Sequence, residues 1–156
     1  MRKILTAFLW LLAAAPLAAA DEKFVWYPYD GGLGADGYDV VAYFDGGGAV
    51  RGDARFTAEY DGQSWRFTDA ARRDAFLAAP EKYAPQYGGY CAYAASLNAQ
   101  AFGDPEVWTV HNGKLYFNYN KPTRARWEIG VNGRITKSDI YWRDEVLAEA
   151  RAEDGE

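Results

Sequence analysis

One thiol, one imidazole and 22 carboxylates are the groups with which this 156-residue chain could do chemistry. The thiol, Cys91, stands in "YGGYCAYAASLN", residues 87–98, among tyrosines, glycines and alanines. A cysteine in that setting can be a soft-metal ligand, a nucleophile, half of an intermolecular disulfide, or core filling. A nucleophile needs a cationic neighbour to hold the thiolate, and the flanking residues carry no positive charge. Free cysteine among small apolar residues is usually buried and inert, so core filling leads. Gly88-Gly89 just ahead leaves room for backbone or a ligand to approach. Tyr90, Cys91 and Tyr93 are therefore the candidate ligand or metal contacts.

His111 is the only imidazole, and every histidine-dependent reaction rests on it. It flanks an Asn112-Gly113 turn, cross-strand from Lys114, a poor place to hold a rigid general base. It reads as a solvated loop residue. A Cys91–His111 pair would require the fold to bring the two together. Asp30, Asp36 and Asp39 in "DGGLGADGYD" lack the alternation and closing glutamate of a calcium loop and read as turn residues. No G-x-S-x-G, H-E-x-x-H or phosphate-binding glycine loop is present. No catalytic residue is assigned, and no metal site either. A closed zinc site takes about four N or S ligands.

The elements that must position these groups are most legible at two turns. "FTAEYDGQSWRF" centres on Asp61-Gly62 and "VWTVHNGKLYFN" on Asn112-Gly113, both two-residue hairpin signals. Across the first turn Phe56 should face Phe67, and Ala58 should face Trp65. Across the second, Val110 should face Leu115, and Trp108 should face Phe117. These residues form the expected core. Thr57, Glu59, Ser64 and Arg66 line the opposite face of one hairpin, and Thr109, His111, Lys114 and Tyr116 that of the other. "YDVVAYF" (38–44) reads as a strand. "TDAARRDAFLAAPEKY" reads as a helix with Thr68 as N-cap and a stop at Pro80. "GYCAYAASLNAQAF" is a helix with Tyr90, Tyr93 and Leu97 on one stripe. "NKPTRARWEI" is capped by Asn120, and the segment from Ile135 carries Trp142, Val146 and Ala150 at helical spacing. The fold class is α+β: a small twisted antiparallel sheet built on two β-hairpins, with several packed helices.

The first 20 residues, "MRKILTAFLWLLAAAPLAAA", have a basic start, an apolar stretch and an Ala-x-Ala ending. They read as a signal peptide cleaved before Asp21, which in a bacterium means a periplasmic or secreted product. Residues 21–36 are an extended lead-in, 37–150 one domain, and 151–156 a frayed tail. Cleavage leaves 15 basic and 22 acidic residues, a net charge of −7. That balance argues against nucleic acid as a partner and against an anionic membrane surface after cleavage. Loss of Met1 leaves no thioether for copper(I).

"GYDVVAYF", "FTAEYDGQSWRFTDAARRDAFLAAPEKYAPQYGGYCAY" and "GDPEVWTVHNGKLYFNYNK" together resemble the YHS domain family, specifically its exported branch, from about Gly37 to Trp142. The resemblance implies a small α+β domain with relatives among metal-associated modules. Metal-type members carry ligands at positions that fall here on Val41, Thr68 and Arg72, none of which binds zinc or copper. Cys91 belongs to the "YCAY" pattern of the exported branch. The expected function is a non-catalytic periplasmic binding module for a small ligand or protein partner, with no cofactor. A soft-metal protein using Cys91, with copper as the type, and a thiol-dependent redox enzyme are the alternatives.

Overall fold

The computed structural model describes residues 26–153, with side chains through Arg143. The expected signal peptide, its cleavage point before Asp21, lead-in residues 21–25 and the end of the tail, 154–156, lie outside the described residues.

The architecture is α+β. Strands β1 (Asp53–Tyr60) and β2 (Gln63–Phe67) form the first hairpin. Asp61 and Gly62 both take positive φ, 48° and 73°, as a turn matched to the right-handed strand twist requires. Ala58 pairs with Trp65 and Glu59 with Ser64, in the expected register. The far end departs from it. Phe67 pairs with Asp53, not with Phe56, and the ladder bulges between Asp53 and Thr57. The Asp53 carboxylate accepts the Arg55 backbone N–H at 2.8 Å and clasps its guanidinium at 2.7 Å. This local bond draws the backbone out of the ladder.

Strands β3 (Asp104–His111) and β4 (Lys114–Asn118) form the second hairpin, turned by Asn112 and Gly113 at φ 50° and 73°. Trp108 pairs with Phe117, Val110 with Leu115 and His111 with Lys114, as the turn chemistry requires. The hairpins form two separate two-stranded sheets. Single parallel bridges lie along the remaining edges of the inner strands: Leu33 to Ser64 beside β2, and Pro85 to Leu115 and Cys91 to Phe117 beside β4.

β4 is a wall between two cores. On one side Trp65, Phe67, Phe76, Leu115 and Phe117 pack with no exposed surface, with Phe56, Trp108 and Val110 half-buried against them. On the other, Tyr116 packs with Tyr87, Ala92 and Trp127. Tyr116 was expected on a polar face. It is buried because helices α4 (Lys121–Glu128) and α5 (Val131–Glu153) cover that side, and its ring meets Trp127 at 5.0 Å. A tyrosine brings a large apolar body wherever a second layer is available to cover it.

In the segment 38–44 the expected strand is reduced to one antiparallel bridge from Tyr38 to Arg51, and residues from 40 on form a turn, although Val40, Val41, Ala42 and Tyr43 are buried. The Asp39 carboxylate accepts from the N–H groups of Val41 and Ala42, offering the backbone a local alternative to a ladder. Helix α1 (Ala70–Ala78) begins one residue later than expected. Asp69 is the N-cap, accepting from the Arg72 N–H at 2.9 Å, because the Thr68 hydroxyl is committed to Asp39. Helix α2 (Pro80–Tyr83) starts at Pro80, and Asn120 caps α4 by accepting from the Thr123 N–H at 2.9 Å.

Helix α3 is only Ala92–Ala95, far shorter than expected. Asn98 sits at φ 55°. The N–H groups of Ala99 and Asn98 bond back to the carbonyls of Ala94 and Ala95, the two bonds of a Schellman stop. Leu97 therefore leaves the packing stripe and is 58 % exposed. Helix α5 runs on through Ile135 and Trp142, both packed in the second core. Val146 and Ala150 lie beyond the described side chains. No helix among the described residues is long and apolar enough to cross a membrane.

Candidate functional site: the Cys91 segment and its aromatic face

Cys91 is held by its neighbours' backbone. Its N–H donates to the Ala101 carbonyl at 2.9 Å, and its own carbonyl accepts the Ala95 N–H. Just before it, Tyr87, Gly88 and Gly89 all take positive φ, and glycine carries that conformation at least cost. The Tyr29 hydroxyl lies 3.0 Å from the Gly89 carbonyl and 2.6 Å from that of Gly103, tying the lead-in to both ends of the segment. Gly103 has to be glycine, because a Cβ there would collide with the Gly89 carbonyl. Burial pushes the Tyr29 phenol well above its ordinary pKa, so it stays a hydrogen-bond donor. Tyr29→Phe should cost about 1–3 kcal/mol, the penalty for stranding buried acceptors. Urea unfolding of the two proteins measures it.

The Cys91 thiol is 1 % exposed. Its polar neighbour is the Asn118 Oδ1, 3.7 Å from Sγ. Asn118 is wholly buried, and the same oxygen accepts the Tyr93 N–H at 3.2 Å. Tyr90 and Tyr93, the other candidate ligand contacts, each have a ring neighbour of their own. The Tyr90 ring packs on Tyr27 at 5.0 Å and Trp142 at 5.6 Å. Tyr93 lies under the Arg134 guanidinium at 4.6 Å. His111 is occupied elsewhere, its Nε2 being 2.9 Å from the Asn132 Oδ1, so the thiol and the imidazole have separate partners. Among the described residues no group of three or more His, Cys, Asp or Glu side chains is placed to hold a metal ion.

Asp39, Thr68 and Arg72 form a closed polar network. Asp39, fully buried, accepts the Thr68 N–H at 2.8 Å and the Thr68 hydroxyl at 2.9 Å. Arg72 donates to the Thr68 Oγ1 at 2.7 Å, lies 3.6 Å from Asp39 and grips Asp45 at 2.8 Å. Val41 is buried beside it. A carboxylate so fully donated to is a structural anchor, and its role was not legible in a segment that read as turn chemistry. Asp36 fits that reading, with Arg51 as its partner at 3.0 Å.

Two aromatic rings stand open to solvent near Cys91. Phe102 is 37 % and Tyr119 54 % exposed, their rings edge-on at 6.4 Å. Tyr27 joins Phe102 at 5.4 Å, and Tyr90 joins Tyr27. The result is a continuous aromatic face over the segment 87–103. A shallow depression lined by Ala95, Asn98, Gln100 and Trp142, among others, has room for about one water molecule. Compared with known proteins, the chain matches no family model, no curated protein and no solved structure.

Proposed function

We propose that this chain is a non-catalytic binding module of an exported YHS-type protein, which holds a small ligand or a protein partner through the Tyr27–Tyr90–Phe102–Tyr119 face. The observation that carries the reading is the exposure of Phe102 and Tyr119 beside a thiol that is itself closed off. Contiguous aromatic surface of this kind is costly to leave in water and typical of recognition sites. Tyrosine adds a hydroxyl that can fix orientation while its ring supplies apolar area. The sulfur, by contrast, lies 3.7 Å from the Asn118 side-chain oxygen, whereas a redox or nucleophilic thiol needs a cationic neighbour.

Native mass spectrometry of protein isolated from its own source, compared with a Phe102→Ser/Tyr119→Ser variant, tests the face. A small molecule or partner retained by the first and lost by the second is expected. Equal retention, or none in either, overturns the assignment. Thiol labelling tests the closed sulfur. Cys91 in the native protein should react with a thiol reagent orders of magnitude more slowly than in urea, and comparable rates would turn the argument toward the thiol enzyme.

A further inference from the structure

Six oxidisable rings stand in unbroken contact through the second core. Tyr27 meets Tyr90 at 5.0 Å, Tyr90 meets Trp142 at 5.6 Å, and Trp142 meets Tyr87 at 6.0 Å. Tyr87 meets Tyr116 at 5.9 Å, and Tyr116 meets Trp127 at 5.0 Å. Tyrosine and tryptophan are the aromatic side chains most easily oxidised by one electron. The phenol radical cation is a strong acid, so a tyrosine carries oxidising equivalents only where its proton has a base to receive it.

Tyr87 has such a base. It is 3 % exposed, and its hydroxyl donates to the Asp139 Oδ1 at 2.8 Å. Asp139 itself is exposed on α5, so a proton it accepts can exchange with water. The two indoles of the series differ: among the described residues the Nε1 atoms of Trp142 and Trp127 are buried with no hydrogen-bond partner. A hole on either ring cannot be trapped by loss of that proton. Burial, reinforced by the Asp139 carboxylate, holds the Tyr87 phenol well above its ordinary pKa, so at neutral pH it keeps its proton until an electron leaves.

We propose that the Tyr87–Asp139 pair is a proton-coupled redox site, fed through the half-buried Trp142 that meets it at 6.0 Å. The co-reactant is a one-electron oxidant at the surface, such as a peroxyl or carbonate radical. That oxidant gains one electron, taken finally from the Tyr87 ring. The Tyr87 O–H bond breaks, its proton passes to Asp139 Oδ1, and a neutral tyrosyl radical, a protonated carboxyl and the reduced oxidant remain. One electron from an ascorbate- or hydroquinone-type reductant, with return of the same proton from Asp139 to the Tyr87 oxygen, restores the pair. The inference does not rest on the binding face, since Tyr87, Asp139 and Trp142 lie outside the Tyr27–Tyr90–Phe102–Tyr119 set.

Flash oxidation of the full chain by a photo-oxidised ruthenium complex, read by electron paramagnetic resonance, tests it. The wild-type protein should give a long-lived neutral tyrosyl radical whose formation slows in D2O. Asp139→Asn keeps an oxygen acceptor for the hydroxyl but removes the base, and should lose that signal, while Asp139→Glu should restore it. Tyr87→Phe should abolish it, and if that variant does not fold, the Asp139 pair decides. Wild-type yield and lifetime in Asp139→Asn, or in a folded Tyr87→Phe, would overturn the proposal.

Discussion

Trp65→Ala should remove about 3–5 kcal/mol of stability, the range for truncating a fully buried large aromatic. A domain of this size typically has about 5–15 kcal/mol in all, so the variant would stand near the edge of folding. Trp65 has no exposed surface. Its indole meets Trp26 and Phe76, each at 5.1 Å, and donates from Nε1 to the Tyr60 carbonyl at 3.2 Å. It also lies flat against the backbone of Gly34, where an added Cβ would strike the ring. The cavity left by alanine is thus walled by a lead-in turn, a strand and a helix, which cannot all collapse onto it. Urea unfolding followed by far-ultraviolet dichroism measures the loss. Trp108, half-buried against the same core, should lose less on the same substitution.

Asp39→Ala should be comparably severe, at about 3–5 kcal/mol, the usual cost of breaking a buried ion pair by removing one partner. The side chain satisfies the N–H groups of Val41, Ala42 and Thr68 and the Thr68 hydroxyl. Alanine strands the Val41 and Thr68 N–H groups, while the Ala42 N–H keeps the carbonyl of residue 39, and it leaves Arg72 with Asp45 and the Thr68 hydroxyl. Asp39→Asn retains an acceptor but forces an NH2 group against donors, and should fall between alanine and wild type. Guanidinium or urea midpoints for the three proteins order them. A loss below about 1 kcal/mol for alanine would mean that water replaces the carboxylate at little cost, and that the 38–44 turn is held by packing alone.

Asp39 also shows where a sequence stops being legible. Its two local bonds are recoverable from an aspartate ahead of an apolar run, since such residues bond to N–H groups two and three positions on. Its bonds to Thr68 span 29 residues, and nothing in either segment announces the other. "YDVVAYF" accordingly reads as a strand, although the local bonds of Asp39 make it a turn that the bond to Thr68 anchors. The hairpins were legible for the opposite reason. Asp61-Gly62 and Asn112-Gly113 dictate register through their own φ angles, so the pairs nearest each turn follow directly. The pairing of Phe56 with Phe67 failed where Asp53 and Arg55 formed a rival contact. The short α3 was recoverable in principle, because asparagine is the commonest residue after glycine to accept a left-handed helix stop. The apolar setting of Cys91 could be read from its alanines. Its polar neighbour Asn118, 27 residues on, could not, and neither could the contacts of Tyr90 with Trp142 and of Tyr93 with Arg134.

The single bridges along β2 and β4 bear on the solubility of the molecule. A two-stranded ribbon has two open rims, and a bare rim of N–H and C=O groups is a template for other chains and for fibril growth. Leu33 sits against β2, and Pro85 and Cys91 sit against β4, so the apolar inner strands are shielded by irregular segments that offer no long rim of their own. The strands left outermost carry exposed Arg55 and Glu59 on β1 and Glu106 on β3, charges that discourage stacking. The lead-in and the cysteine segment therefore act as guards against self-assembly, a protection that a chain trimmed back to its two ribbons would forfeit.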